Sequence, residues 1–186
     1  MMVQNIRSFT AALLIALAGC MGFSGSAAAA SAQEIDIKVD GALEEFKKEV
    51  TGGAEFLNKS KGYLVFPSVI KAGLVVGGEY GEGALRIGGK SEQYYNIASA
   101  SVGFQIGAQG YTIVMVFLQD DALKKFRESS GWEAGVDGSV ALIELGAGGS
   151  LDTSNIKDDI VGFVFGNKGL MYNLTLEGSK MTKLNK

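Results

Sequence analysis

The side chains that could carry chemistry are few and unevenly placed. The 186-residue chain has no histidine and a single cysteine, Cys20. That removes Ser-His-Asp and Cys-His catalysis and every His-bearing zinc site. Carboxylates, lysines, tyrosines and hydroxyls remain. Glu79 and Glu82, in the glycine-rich stretch Gly77 to Gly83, could face each other across a turn as glycosidase carboxylates do. Two surface charges on a turn are the plainer reading. Asp152, Asp158 and Asp159 could hold calcium but lack the spacing of an EF-hand loop. Gly77–Gly83 and Gly146–Gly149 have the glycine content of phosphate loops, without the lysine and Ser/Thr that follow in a P-loop. Asn173-Leu174-Thr175 is a glycosylation sequon placed in a strand pattern. The cationic feature is Lys59, Lys61 and Lys71, bracketing the first strand, with Lys47 and Lys48 upstream. Folded-back helices would gather them on one face, where each lysine near an anionic membrane surface contributes about 1 kcal/mol. No enzyme, cofactor or metal site is expected. The formal net charge of -3 gives no chain-wide attraction for nucleic acid.

Cys20 closes an N-terminal segment of secretory type. Residues 1–19 carry Arg7 and then the apolar run Phe9–Leu17, too short to span a bilayer. Leu17-Ala18-Gly19-Cys20 resembles the lipobox of bacterial lipoproteins. The resemblance implies that Cys20 receives lipid and becomes the mature N-terminus, a stable anchor once several acyl chains are attached. Met21 stands where an aspartate would signal inner-membrane retention, so the implied address is the outer membrane, facing the periplasm or the cell surface. A second reading stays open: cleavage after Ala30 or Ala32 discards Cys20 and leaves a soluble periplasmic protein. Residues 20–34, rich in Ser, Gly and Ala, read as a flexible tether.

The elements that must position the remaining groups begin at Ile35. Val39, Leu43, Phe46 and Val50 recur at helical spacing opposite Glu44, Glu45, Lys48 and Glu49. The stripe either packs on a sheet or lies on a membrane surface. Gly52-Gly53 ends that helix, and Ala54–Lys59 gives a second, short one. Strands are expected at 62–66, 73–78 and 84–87. Over 94–108, Ala98, Ala100, Val102, Phe104 and Ile106 alternate with Ser99, Ser101, Gly103, Gln105 and Gly107, a half-buried strand with one very small face. Tyr111–Leu118 reads as a central strand buried on both faces. Asp120 caps a helix to about Ser130, and Trp132 fastens its end to the core. Strands at 136–145, 160–165 and 170–176 complete the pattern, the last two joined by a turn at Gly166–Gly169. Hydrophobic residues at 47% and charged residues at 20% fit a globular chain. With 27 glycines against 1 proline, tight hairpins and close sheet contacts are favoured over a linker. The fold class expected is α+β: a curved, glycine-rich antiparallel sheet or barrel-like sheet with two N-terminal helices and one internal helix.

Four segments together resemble the SYLF domain family: 61–83 (KGYLVFPSVIKAGLVVGGEYGEG), 94–109, 122–142 and 161–180. They extend the likeness over most of 35–186, which is taken as one SYLF-like domain, similar to bacterial members that are secreted or lipid-anchored. The resemblance implies lipid binding helped by an amphipathic N-terminal helix. In the eukaryotic members the lipid is phosphoinositide, and yeast relatives bind and bundle actin. An exported chain is separated from actin, so the lipid role carries over and the actin role does not. The implied ligand is membrane phospholipid head groups, and the candidate contacts are Val39, Leu43, Phe46, Val50, Lys59, Lys61 and Lys71. An envelope protein partner with no lipid ligand is the alternative.

Overall fold

The computed structural model describes residues 30–73, 76–102, 107–144, 158–168 and 175–186. The leader, Cys20, the 146–150 loop, Asp152 and the sequon at Asn173 lie outside the described residues.

Helix α1 spans Ala32–Glu49 and α2 spans Gly53–Lys59. Strands β1 (Gly62–Gly73), β2 (Val76–Ile87), β3 (Lys90–Val102) and β4 (Gly107–Phe117) follow, then helix α3 (Asp120–Glu128). Strands β5 (Gly131–Glu133), β6 (Ala141–Glu144), β7 (Ile160–Lys168) and β8 (Lys180–Leu184) complete the order. The eight strands form one curled sheet, a half-barrel ordered β5-β8-β3-β2-β1-β4-β7-β6. The α+β class and the three expected helices are present. One edge departs from the expected antiparallel pairing, because β6 runs parallel to β7. The connection over 145–159 is long enough for the crossover that parallel neighbours require.

Two hydrophobic clusters cover the two faces. Inside the curl, Leu64, Phe66, Leu85, Tyr95, Ile97, Ile113 and Phe117 meet Leu123 and Phe126 of α3. Trp132 of β5 and Val164 of β7, from opposite ends of the sheet order, join the same cluster. Phe126 lies 4.9 Å from Tyr95 and 5.0 Å from Phe117, and 5.6 Å from Trp132, which fastens the helix end as expected. On the outside, Val39, Leu43, Phe46 and Val50 of the N-terminal helices pack with Phe56 and Leu57 on Val65, Val114, Phe163 and Phe165.

Helix α1 begins at Ala32, inside the expected tether. Ser31 accepts from the Glu34 backbone N–H at 3.2 Å and donates its own N–H to the Glu34 carboxylate at 2.8 Å, a reciprocal cap. Arg86 of β2 holds the helix from the other side, donating to Asp40 at 2.9 Å and Asp36 at 3.4 Å. Tyr94 and Ser91 donate to the same Asp36, at 2.9 and 2.6 Å.

Strand β1 continues through Pro67 to Gly73 instead of ending at Phe66. The ladder to β2 shifts between Val65 and Val69 and the ladder to β4 between Phe66 and Val69, so Pro67 and Ser68 pair with neither neighbour. A proline lacks a donor, and a bulge is where a strand tolerates one. The two residues stand opposite the single Thr112 of β4, and the one extra residue reverses the alternation: Leu64 and Phe66 face inward before the bulge, Val69 and Lys71 after it. Strand β3 turns its Ser99 side inward, the small face of the alternation. Tyr95 and Ile97 are buried and Ser99 is half-buried, while Ala98 and Ala100 are exposed. Helix α3 starts from Gln119, with Asp120 its first residue and no side-chain cap. Val136 and Asp137 form a turn where a strand was expected, and β7 runs through the predicted turn residues to Lys168.

Candidate functional site

Beyond the bulge, β1–β4 extend past the helices, and their two faces differ in chemistry. On the inner face the register aligns Ser99 of β3, Glu79 of β2, Lys71 of β1 and Gln109 of β4 in one row. Glu79, Lys71 and Gln109 are 4%, 7% and 2% exposed, so this is a polar row inside the curl. Tyr111, buried on the next row, turns its hydroxyl toward Glu79. Burial raises the Glu79 carboxyl, and the Tyr111 hydroxyl and the Lys71 charge oppose that without cancelling it. Neither Glu79 oxygen meets a donor at full hydrogen-bond geometry. Burial, with the neighbouring carboxylate, pushes the Tyr111 phenol far above its ordinary value.

A raised Glu79 makes stability depend on pH. Between the ordinary glutamate value and the raised one, the native state binds more protons than the unfolded chain. Stability therefore falls as pH rises through that window. Glu79→Gln should remove this fall and flatten the dependence of stability on pH across that window. Melting temperatures of both proteins from pH 4 to pH 8 test it; parallel curves would contradict it.

The outer face at the same strand ends carries no charged residue on the described positions of β1 and β2 from Ile70 to Tyr80. Ile70 and Tyr80 are cross-strand partners, 59% and 49% exposed, and Val76 is 67% exposed. Ala72 and Gly78 pair one row further on, and Ala98 and Ala100 of β3 continue the two rows. The exposed Lys180 of β8 is the register partner of Ala98, so a cation borders this face.

The residues picked out by pattern are distributed between these places. Val39, Leu43, Phe46 and Val50 are at most 7% exposed and pack on the sheet, so in this fold the stripe faces protein. Lys59, Lys61 and Lys71 do not share a face. Lys59 is exposed, and Lys61 pairs with Asp120 at 2.9 Å. Lys71 lies inside the curl at the far end of β1, about 30 Å along the strand from Lys61. Lys47 is bound to Glu44 at 2.7 Å. Glu79 and Glu82 are not a facing pair. Both sit on β2 with odd spacing, so Glu79 points inward and Glu82 outward. Glu82 accepts from Tyr80 at 2.8 Å and from Lys186 at 3.2 Å. The stretch Gly77–Gly83 is strand, not a phosphate loop. Asp158 and Asp159 line an open cleft of about 360 Å³ with Asp121, Asp137 and Lys125. Among the described residues no group of three acids is placed to hold a metal ion, and no helix is long and apolar enough to cross a membrane. The polar row and the bordering Lys180 escape sequence reading, since each depends on register across the bulge or on a strand, β8, whose KMTKL sequence carries little apolar signal.

These features define an α+β domain that buries its polar row and, among the described residues, leaves an uncharged outer sheet face exposed. Residues 98–186 match the model of the Ysc84 family, described as Las17-binding protein actin regulator, which is the SYLF family that the sequence resembles. That family is of lipid-binding and actin-regulator type. Comparison with curated proteins gives no match.

Proposed function

We propose that this chain is a non-enzymatic envelope lipoprotein, exported and anchored through Cys20 in the outer membrane, whose domain binds anionic phospholipid surfaces. The observation that carries the reading is the match of residues 98–186 to a family of lipid-binding and actin-regulator type. The lipobox-like Leu17–Cys20 supports the anchor, and the separation of Glu79 from Glu82 onto opposite faces speaks against a carboxylate-pair hydrolase. Outer-membrane phospholipid supplies the anionic head groups; actin is not accessible from there.

Vesicle co-sedimentation of the full mature chain carrying Cys20→Ala separates domain binding from anchoring. Binding to vesicles containing phosphatidylglycerol, with markedly less to neutral phosphatidylcholine vesicles, is expected. Equal and negligible binding to both would overturn the lipid reading and favour a protein partner, in line with the family's description as Las17-binding.

A further inference from the structure

We propose that the outer face at the free ends of β1–β4, and not the N-terminal helix, is the surface that seats the domain against the anionic leaflet holding its anchor. The inference rests on the lipid-binding reading above and specifies its contact.

Three observations point to a lipid surface as the occupant. The first is composition by face. Ile70, Ala72, Val76, Tyr80, Ala98 and Ala100 are exposed on one side of the sheet, while Lys71, Glu79 and Gln109 are buried on the other. Apolar residues outward and polar residues inward is the arrangement by which strands meet lipid. A tyrosine at the upper row suits the interfacial zone, where an apolar ring and a wet hydroxyl are both accommodated. The second is charge. Lys180 borders the upper row, and Glu82, the acid one row above, is neutralised by Lys186 and bonded to Tyr80. The described residues of the patch itself therefore carry no carboxylate, and the cation at its border is Lys180, whose own register partner on β5 is Glu133.

The third is where the tether leaves the domain. Lys186 donates both to the backbone oxygen of Ala30 and to Glu82, so the chain enters the domain beside the upper row of the patch. Between Cys20 and Ala30 lie residues 21–29, and a fully extended chain of that length reaches at most about 35 Å. A lipid on Cys20 is thus tied close to this face. The helix stripe is unavailable for the same task, because it is packed on Val65, Val114 and Phe163.

The seat is shallow. Tyr80 to Val76 extends about 13 Å along β2, slightly less than one leaflet's hydrocarbon depth. Among the described residues, pairing of β3 with β8 reaches Ala98 and pairing of β4 with β7 reaches Gly110. Strands that cross hydrocarbon need a closed barrel, whereas this sheet is a half-barrel, so the contact lies at the boundary between head groups and acyl chains.

The test uses the full mature chain with Cys20→Ala and vesicles of phosphatidylethanolamine with phosphatidylglycerol. Ile70→Glu should weaken vesicle binding at least about tenfold while the melting temperature holds. In the same cysteine-free background, a polarity-sensitive dye on Val76→Cys should shift to the blue with vesicles, and one on Ile37→Cys should not. Unchanged binding by a folded Ile70→Glu protein, with no shift at position 76, overturns the seat while leaving the lipid reading intact. No binding by the unsubstituted domain overturns both. A dye shift at position 76 without vesicles, rising with protein concentration, assigns the face to a second copy of the chain and overturns the seat.

Discussion

Replacing Phe46 by alanine is expected to cost about 3–5 kcal/mol of stability. Its ring is fully buried between α1 and the outer sheet face, 5.0 Å from Phe163 and 6.0 Å from Phe165. Phe56 of α2 also meets Phe163, at 5.6 Å, so the cavity left behind lies where both helices join the sheet. Urea unfolding should show the loss as a lower midpoint with an unchanged slope. Vesicle binding by the fraction that remains folded should be unaltered. A protein of unchanged stability that had lost its vesicle affinity would show that the stripe serves the membrane instead. The same logic extends to Val39, Leu43 and Val50, each of which contributes about 1.5–3 kcal/mol by burial.

Gly83→Ala should be as damaging by the opposite route. A Cβ at this position would stand 2.0 Å from the Val65 carbonyl oxygen and 2.7 Å from the Phe66 ring. The first obstacle is backbone and cannot rotate away, so β1 and β2 must separate beside the β1 bulge. Overpacking typically costs about 1–3 kcal/mol, and an unyielding backbone contact places this substitution at or above the top of that range. Gly41→Ala is the control. It lies in α1 with nothing within 4 Å of the added methyl, and should stabilise by roughly 0.5–1 kcal/mol. Thermal unfolding of the two proteins should move in opposite directions. A Gly83→Ala protein as stable as the parent would mean that β1 and β2 do not approach as closely as described.

What could be read from the sequence was local. Val39, Leu43, Phe46 and Val50 announce a helix because burial at helical spacing has one simple solution, and Tyr111–Phe117 announce a central strand for the same reason. The fold class follows from the order of such segments. Pro67 misleads, since a proline ends most strands but here occupies a bulge that both neighbouring strands skip. Everything beyond the bulge then changes face, which is why Lys71 could be grouped with Lys59 and Lys61 although it points inward. Glycines in β2 look like a turn, so Glu79 and Glu82 were read as its tips when they are strand residues of opposite orientation. The small residues of β3 carry weak phase information, and Tyr95 and Ile97 decide it against Ala98 and Ala100. Strand β8 pairs with β3 and β5, with lysines at Lys180 and Lys183 and only Met181 deeply buried. The polar row and the uncharged outer face are products of that long-range register.

Hydrogen exchange of the mature protein, with and without phosphatidylglycerol-containing vesicles, reads both candidate surfaces at once. Added vesicles should slow exchange over 68–82 and 96–102 and leave 32–50 as it was. Slowed or freshly opened amides in 32–50, with the strand ends of β1–β3 unchanged, would contradict the account and return membrane contact to the N-terminal helix.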